Sequence, residues 1–331
     1  MPAVKSVSSL HCQHHNQDGA ICAQPAGQNG LCYWHDRDTP KRDTQLCDRL
    51  RAVAEAGHCL EGYSLKRANL KDVNLVKHGS KAGYSLKSAD LYRADLEGAH
   101  LFNVDFRNAS LMKANLTNAN LHCADLRDCN LLGVNLSNAR IENVEWGERL
   151  LQEKLAMEAL KRGEHEVMMD YLEQAEEIYR NLRKTAEVQG LFEISGKFFY
   201  KEMVVRRQQM PRFSFLRAIS YLVDLFCGYG EKPLRVILFS LFLIAFCAVS
   251  YFTLGIYHSS GTVGFSLENS MSENLISFLE CLYFSVVTFT TLGYGDLVPI
   301  GAARPVAAFE AFTGNFTIAL FVVVFVKKMT R

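Results

Sequence analysis

From residue 60 to residue 147 a large apolar side chain returns every five positions. The series runs Leu65, Leu70, Leu75, then Leu86, Leu91, Leu96, Leu101, Phe106, Leu111 and onward to Leu136, Ile141 and Trp146. Two positions before most members, though not before Leu65 or Leu86, sits a small residue, as at Ala68, Ala89, Ala94, Ala114, Cys129 and Ala139. A period of five fits neither the 3.6 of a helix nor the 2.0 of a strand. Self-similarity at a fixed short period predicts a solenoid of stacked units. Asn or Asp between the two inward positions (Asn69, Asp95, Asn115, Asp125, Asn135) suits a sharp corner. The step from Leu75 to Leu86 is eleven residues rather than ten. It predicts a one-residue bulge or loop around Lys77 to Gly83, which Gly79 and Gly83 accommodate.

Past the repeats the pattern changes twice. Residues 148–210 are rich in Glu, Lys, Arg, Leu and Ala at helical spacing, with breaks at Gly163 and Gly190. They predict a connector of two or three helices in a hairpin or small bundle. Residues 211–230 contain a shorter, more apolar stretch, Phe213 to Phe226, placed just before a long apolar run. It reads as an interfacial helix on the membrane surface, or as a helix buried against protein.

Residues 233–331 are mostly apolar, a division that a whole-chain hydropathy near zero conceals. Val236 to Tyr257 holds no Asp, Glu, Lys or Arg, and Pro305 to Val326 holds Glu310 alone. Each is long enough to cross about 30 Å of hydrocarbon, so two transmembrane helices are expected. Arg212, Arg217, Lys232 and Arg235 precede the first, and Lys327, Lys328 and Arg331 follow the second. The segment between them carries Arg304 among Glu268, Glu273, Glu280 and Asp296. By the positive-inside rule both termini are expected in the cytoplasm. Met1 to Leu10 has no apolar signal-peptide core, in keeping with that topology.

Between the spans lies a third apolar stretch, Asn274 to Phe289, too short to cross and return, ending in Thr290-Thr291-Leu292-Gly293-Tyr294-Gly295-Asp296. This run resembles the selectivity-filter signature of potassium channels, and the block 233–331 resembles the two-transmembrane potassium channels. The resemblance makes Thr291, Leu292, Gly293, Tyr294 and Gly295 the filter, whose carbonyl oxygens replace the hydration shell of K⁺. Thr290, Asp296, Tyr283, Phe284 and Glu310 are then expected to support it. Gly314 stands where such channels often bend, or is a close-packing site between helices. Val287 occupies a pore-helix position that is a glutamate in some relatives. A second Gly-Tyr-Gly, at Gly228 to Gly230, lacks the threonine pair and a pore helix, and reads as a linker.

The repeats resemble the pentapeptide-repeat family, written A(D/N)LXX. That resemblance implies a right-handed quadrilateral β-helix whose leucine and small residue point inward. Some members mimic DNA through an acidic surface. Here Lys66, Arg67, Lys71, Lys87, Arg107 and Lys113 balance the acids, and a spacer or docking platform is expected instead.

In front of the repeats, residues 1–45 hold Cys12, Cys22, Cys32 and His35 in the order C-x9-C-x9-C-x2-H. Three thiolates and one imidazole suit a structural Zn²⁺, with His14 and His15 as alternative ligands. The bland reading is unpaired cysteines in a loose tail. The ten cysteines form no disulfide framework in the sequence.

One filter loop cannot enclose an ion, so the fold read here implies a homotetramer in a lipid bilayer. The expected function is passive conduction of K⁺, with N-terminal domains that regulate or dock a cytoplasmic protein or ligand. The rival is a membrane-anchored scaffold with a non-conducting pore. With 36 basic and 35 acidic residues, no net charge points to nucleic acid. No nucleophile with a base and no open metal site supports an enzyme. No arginine-rich helix precedes the pore, and five residues follow its second span, so gating signals are expected to enter from the N-terminal side.

Overall fold

The computed structural model describes residues 11–16, 19–80, 82–259 and 261–329. The readings made at Met1 to Leu10, Lys81 and Arg331 lie outside them. The chain divides between Pro211 and Arg212 into two compact units.

The first unit is built around a four-sided β-helix. Parallel bridges join Ser85 to Asp105, Asp90 to Ser110, Asp95 to Asn115 and so on to Asp125 with Glu145. Each partner lies twenty residues on, which is four sides of five residues. The inward series is sequestered: Leu91, Leu96, Phe106, Leu116 and Leu126 are buried with Ala89, Ala94, Ala114 and Ala124. The regular corners from Leu86 to Leu136, and those at Leu65 and Leu70, are four-residue turns closed by a main-chain bond, as from Val73 N to Leu70 O at 3.2 Å. The third residue of the turn has positive φ, as at Asp72 (55°), Arg93 (54°) and Lys113 (57°), the geometry of a type II turn. The Asn and Asp expected at the corner sit one step before it, on the bridged side. From there the side chain accepts from the N–H two residues on, Asn115 Oδ1 from Thr117 N at 3.2 Å for example. They also stack between coils, with Asn115 Nδ2 donating to Asp95 Oδ1 at 2.9 Å.

The irregular step is larger than a one-residue bulge. Ser64 pairs with Asp90, Asn69 with Asp95 and Asn74 with His100, an offset of twenty-six. The sides at Asn74 and Ser85 are consecutive, so six extra residues leave the coil at one corner. The two glycines serve different ends. Gly79 takes φ 72°, whereas a Cβ at Gly83 would lie 1.7 Å from Asn103 O. Gly83 is needed because the returning chain passes against the main chain of the next coil.

Both ends of the solenoid are covered. Helix α1 (Leu46–Glu55), which the sequence pattern did not suggest, buries Leu46, Leu50 and Ala54 in the same core. At the other end α2 (Leu151–Lys161), α3 (His165–Val188) and α4 (Phe192–Gln209) form the helical connector. Gly163 and Gly190 fall in its turns, with φ 78° and 72°. Asn181 Nδ2 donates to Val134 O at 2.8 Å, and Gln189 Nε2 donates to Ala139 O at 2.6 Å while Gln189 Oε1 accepts from Ile141 N at 3.3 Å. These amides meet main-chain groups that no further coil is there to pair.

The second unit contains α5 (Phe215–Cys227), α6 (Pro233–Leu254), α7 (Met271–Phe289) and α8 (Ala303–Met329). The second Gly-Tyr-Gly makes a 3-10 turn between α5 and α6, with Gly228 left-handed after α5. Helices α6 and α8 are long and apolar enough to cross a membrane, with mean hydropathies of 2.4 and 1.9. α7 starts three residues earlier than its apolar run because Ser270 and Glu273 cap it reciprocally. Ser270 N donates to Glu273 Oε2 at 2.8 Å, and Glu273 N to Ser270 Oγ at 3.3 Å. A small antiparallel sheet, unanticipated from sequence, has the order β2-β1-β3: β1 (Ile256–His258), β2 (Gly261–Val263), β3 (Leu297–Pro299). It ties the chain leaving α6 to the chain entering α8.

Candidate pore and cysteine-histidine sites

The filter run hangs between α7 and β3. Thr290 ends α7, its hydroxyl donating to Val286 O at 2.8 Å, and Leu292 N still donates to Val287 O at 3.0 Å. Beyond it the chain takes positive φ at Thr291 (58°), Gly293 (54°) and Gly295 (81°). Alternation of hand along the main chain turns successive carbonyls towards one side, and glycine is the residue that allows it without strain. All six residues from Thr291 to Asp296 are exposed in the single chain, including Leu292 at 59% and Tyr294 at 67%.

Around this run the side chains expected to support a filter fall into two groups. Tyr283 and Asp296 come side by side, hydroxyl towards carboxylate. Phe284 is buried and packs edge-on against Tyr251, ring centroids 4.9 Å apart. Glu310 is fully buried among α6, α7 and α8. Its carboxylate accepts from the Tyr251 hydroxyl at 2.6 Å and from the Ser285 hydroxyl, whose single hydrogen is shared with Ile244 O, 2.9 Å from Oγ. A carboxyl group at this depth has to find donors. Tyr251 and Ser285 were not singled out in the sequence, where only the isolation of Glu310 signalled that partners must exist. Gly314 lies in the unbroken helix α8, where a Cβ would stand 2.1 Å from Phe289 O. Its missing side chain lets α8 approach the end of α7.

In the first unit Cys12, Cys22, Cys32 and His35 converge, with their ligand atoms all within 4.8 Å of one another. Cys12 Sγ lies 3.4 Å and Cys32 Sγ 3.2 Å from His35 Nδ1, and Cys22 Sγ lies 4.0 Å from Cys32 Sγ. Burial pushes the Cys32 thiol up to about 12 and the His35 imidazole down to about 4. The alternative ligand His14 is stacked on the His35 ring instead, centroids 3.7 Å apart; neither it nor His15 joins the group.

The family model described as "Ion channel" matches residues 238–331, which take in most of α6, all of α7, the filter run and α8. The C-terminal segment is an ion-channel domain. The model described as "Pentapeptide repeats" matches residues 85–118 and 109–145, in eight copies. Both are non-enzymatic kinds of protein. Among curated proteins, the channel "Two pore potassium channel b" of Oryza sativa subsp. japonica is 36% identical over 100 residues, 29% of this chain and 25% of that protein. "Protein LctB" of Bacillus caldotenax is 44% identical over 55 residues, 16% of this chain and 41% of its own length. The chain thus spans a quarter of the first relative's length and about two fifths of the second's. Among solved structures, the pentapeptide-repeat protein Rfr23 of Cyanothece 51142 is 31% identical, covering 27% of this chain and 57% of its own at TM-score 0.25. The pentapeptide-repeat protein alr5209 of Nostoc PCC 7120 is 30% identical, covering 30% and 84% at TM-score 0.19.

Proposed function

We propose that four copies of this chain form a potassium-selective channel that conducts K⁺ passively through an axis lined by Thr291, Leu292, Gly293, Tyr294 and Gly295. The supporting observation is the geometry of that run. A capped helix delivers it, positive φ recurs along it at Thr291, Gly293 and Gly295, and its residues stand exposed in the single chain. Leu292 and Tyr294 would be covered by packing around a fourfold axis, where four sets of carbonyls replace the water K⁺ gives up. The ion-channel match supports a channel, and the relative named as a potassium channel favours K⁺ as its ion.

In this reading α6 and α8 span the bilayer, with both chain ends on the cytoplasmic side. Helix α5 presents Phe215, Leu216, Leu222 and Leu225 exposed, an apolar surface suited to the interface of the inner leaflet. The β-helix and connector would then receive the regulatory or docking signal. The deciding experiment is K⁺ flux into liposomes carrying the purified channel, with reversal potentials in mixed K⁺ and Na⁺. Flux with strong K⁺ preference is expected, abolished by Gly293→Ala. Flux unchanged by that substitution, or equal passage of Na⁺, would remove the proposal.

A further inference from the structure

We propose that Cys12, Cys22, Cys32 and His35 bind a structural zinc ion that locks the N-terminal cap onto the first coil of the β-helix. Two local devices assemble the ligands. Antiparallel bridges from His11 to Pro25 and from His15 to Ile21 lay residues 19–25 back along residues 11–16. The main-chain bonds from Cys12 N to Gln24 O (2.9 Å) and from Cys22 N to His14 O (3.0 Å) hold that fold. A tight turn, His35 N to Cys32 O at 3.1 Å, supplies the other two ligands from one strand of chain.

The spacing suits an ion at the centre. A tetrahedron with Zn–S of about 2.3 Å and Zn–N of about 2.0 Å has edges of roughly 3.5–3.8 Å. Three of the six edges are 3.2, 3.4 and 4.0 Å, and all six are within 4.8 Å. The imidazole is oriented for ligation. His35 Nε2 lies 2.8 Å from Glu61 O, and a carbonyl only accepts, so Nε2 carries the hydrogen. Nδ1 therefore turns its lone pair towards the sulfurs. The Cys32 N–H donates to Cys12 Sγ at 3.2 Å, a bond that favours a thiolate.

The donor set selects the metal. Three thiolates and an imidazole favour zinc over hard cations, and four protein ligands leave no open position, so the site is structural rather than catalytic. Binding releases the thiol protons to solvent, and the ion's charge is offset by the thiolates. A disulfide between Cys22 and Cys32 would need the sulfurs at about 2.05 Å, so they would have to close from 4.0 Å, and two ligands would be lost.

The cap has a definite load. Ser64 N donates to Trp34 O at 2.8 Å, the Trp34 and Tyr63 rings stack at 5.3 Å, and His35 itself reaches Glu61 O. The turn that carries two ligands is thus also the piece that lies on the first coil. Terminal units of solenoids need such a covering, and a segment this short has little core to hold it closed.

The test is metal analysis of the full chain purified in detergent under reducing conditions without added metal. One zinc per chain is expected, lost in Cys32→Ser and in His35→Ala. Should those variants fail to fold, wild-type protein refilled with cobalt after chelation answers instead. Intense thiolate-to-cobalt absorption and tetrahedral d–d bands are expected, together with faster proteolysis around residues 30–60 in the chelated state. Well-folded protein with neither zinc nor a cobalt spectrum would overturn the proposal, as would a Cys22–Cys32 disulfide found by mass spectrometry of the reduced preparation. Neither outcome bears on K⁺ conduction.

Discussion

Glu310 and Gly314 lie four positions apart on α8 and meet its neighbours in opposite ways. Glu310 reaches out to the Tyr251 and Ser285 hydroxyls, while Gly314 withdraws so that the Phe289 carbonyl comes close. Restoring a single methyl group at Gly314 forces either α7 or α8 to move, since the obstructing atom is main chain. Gly314→Ala is expected to destabilise the second unit by about 1–3 kcal/mol, the usual cost of overpacking. It should also reduce K⁺ flux if residues 291–295 form the proposed filter, because the displaced Phe289 directly precedes Thr290 and that run. Thermal unfolding in detergent and liposome flux on the same preparation check both effects. A variant with unchanged melting and flux would show that the two helices separate freely at this point.

At the scale of elements, the ends of the β-helix carry its exposed edges, and the connector covers one of them with two amides. Gln189 bonds two main-chain groups and Asn181 a third. Gln189→Ala is expected to cost about 1–3 kcal/mol, the penalty for leaving paired groups unsatisfied. It would appear as a lower denaturant midpoint with an unchanged slope. The coils themselves were legible in the sequence because one inward leucine and one small residue must return every five positions; no other element imposes that period. The offset at Leu75 was visible, but its size was not, since eleven residues fit both ten plus one and five plus six. The pairing of Asn74 with His100 resolves that ambiguity. Helix α1 escaped because only three buried positions, Leu46, Leu50 and Ala54, mark it among polar residues. Strands β1, β2 and β3 have three residues each, too few for alternation to register. The donors for Glu310 come from two other helices, and no spacing within α8 reveals them.

For the whole molecule, the exposure of Thr291 to Asp296 has a consequence for assembly. The second unit of one chain leaves Leu292 and Tyr294 more than half exposed, which in a bilayer is tolerable only against protein or a water-filled pore. Native mass spectrometry of the protein released from nanodiscs is expected to show four chains. A monomer or dimer would leave those residues facing lipid and remove the basis for a pore on a fourfold axis.

The six-residue excursion between Asn74 and Ser85 offers a practical handle. The bridges on either side of it stay in step, Asn74 with His100 and Ser85 with Asp105, so the coil already tolerates chain inserted at this corner. Loop closure grows only slowly more costly with length. A small fluorescent protein spliced after Gly79, flanked by flexible linkers and with Gly83 retained, should leave the stacking of the coils undisturbed. Such a graft would report abundance and position of the assembled protein in living cells without touching either the cap or the pore.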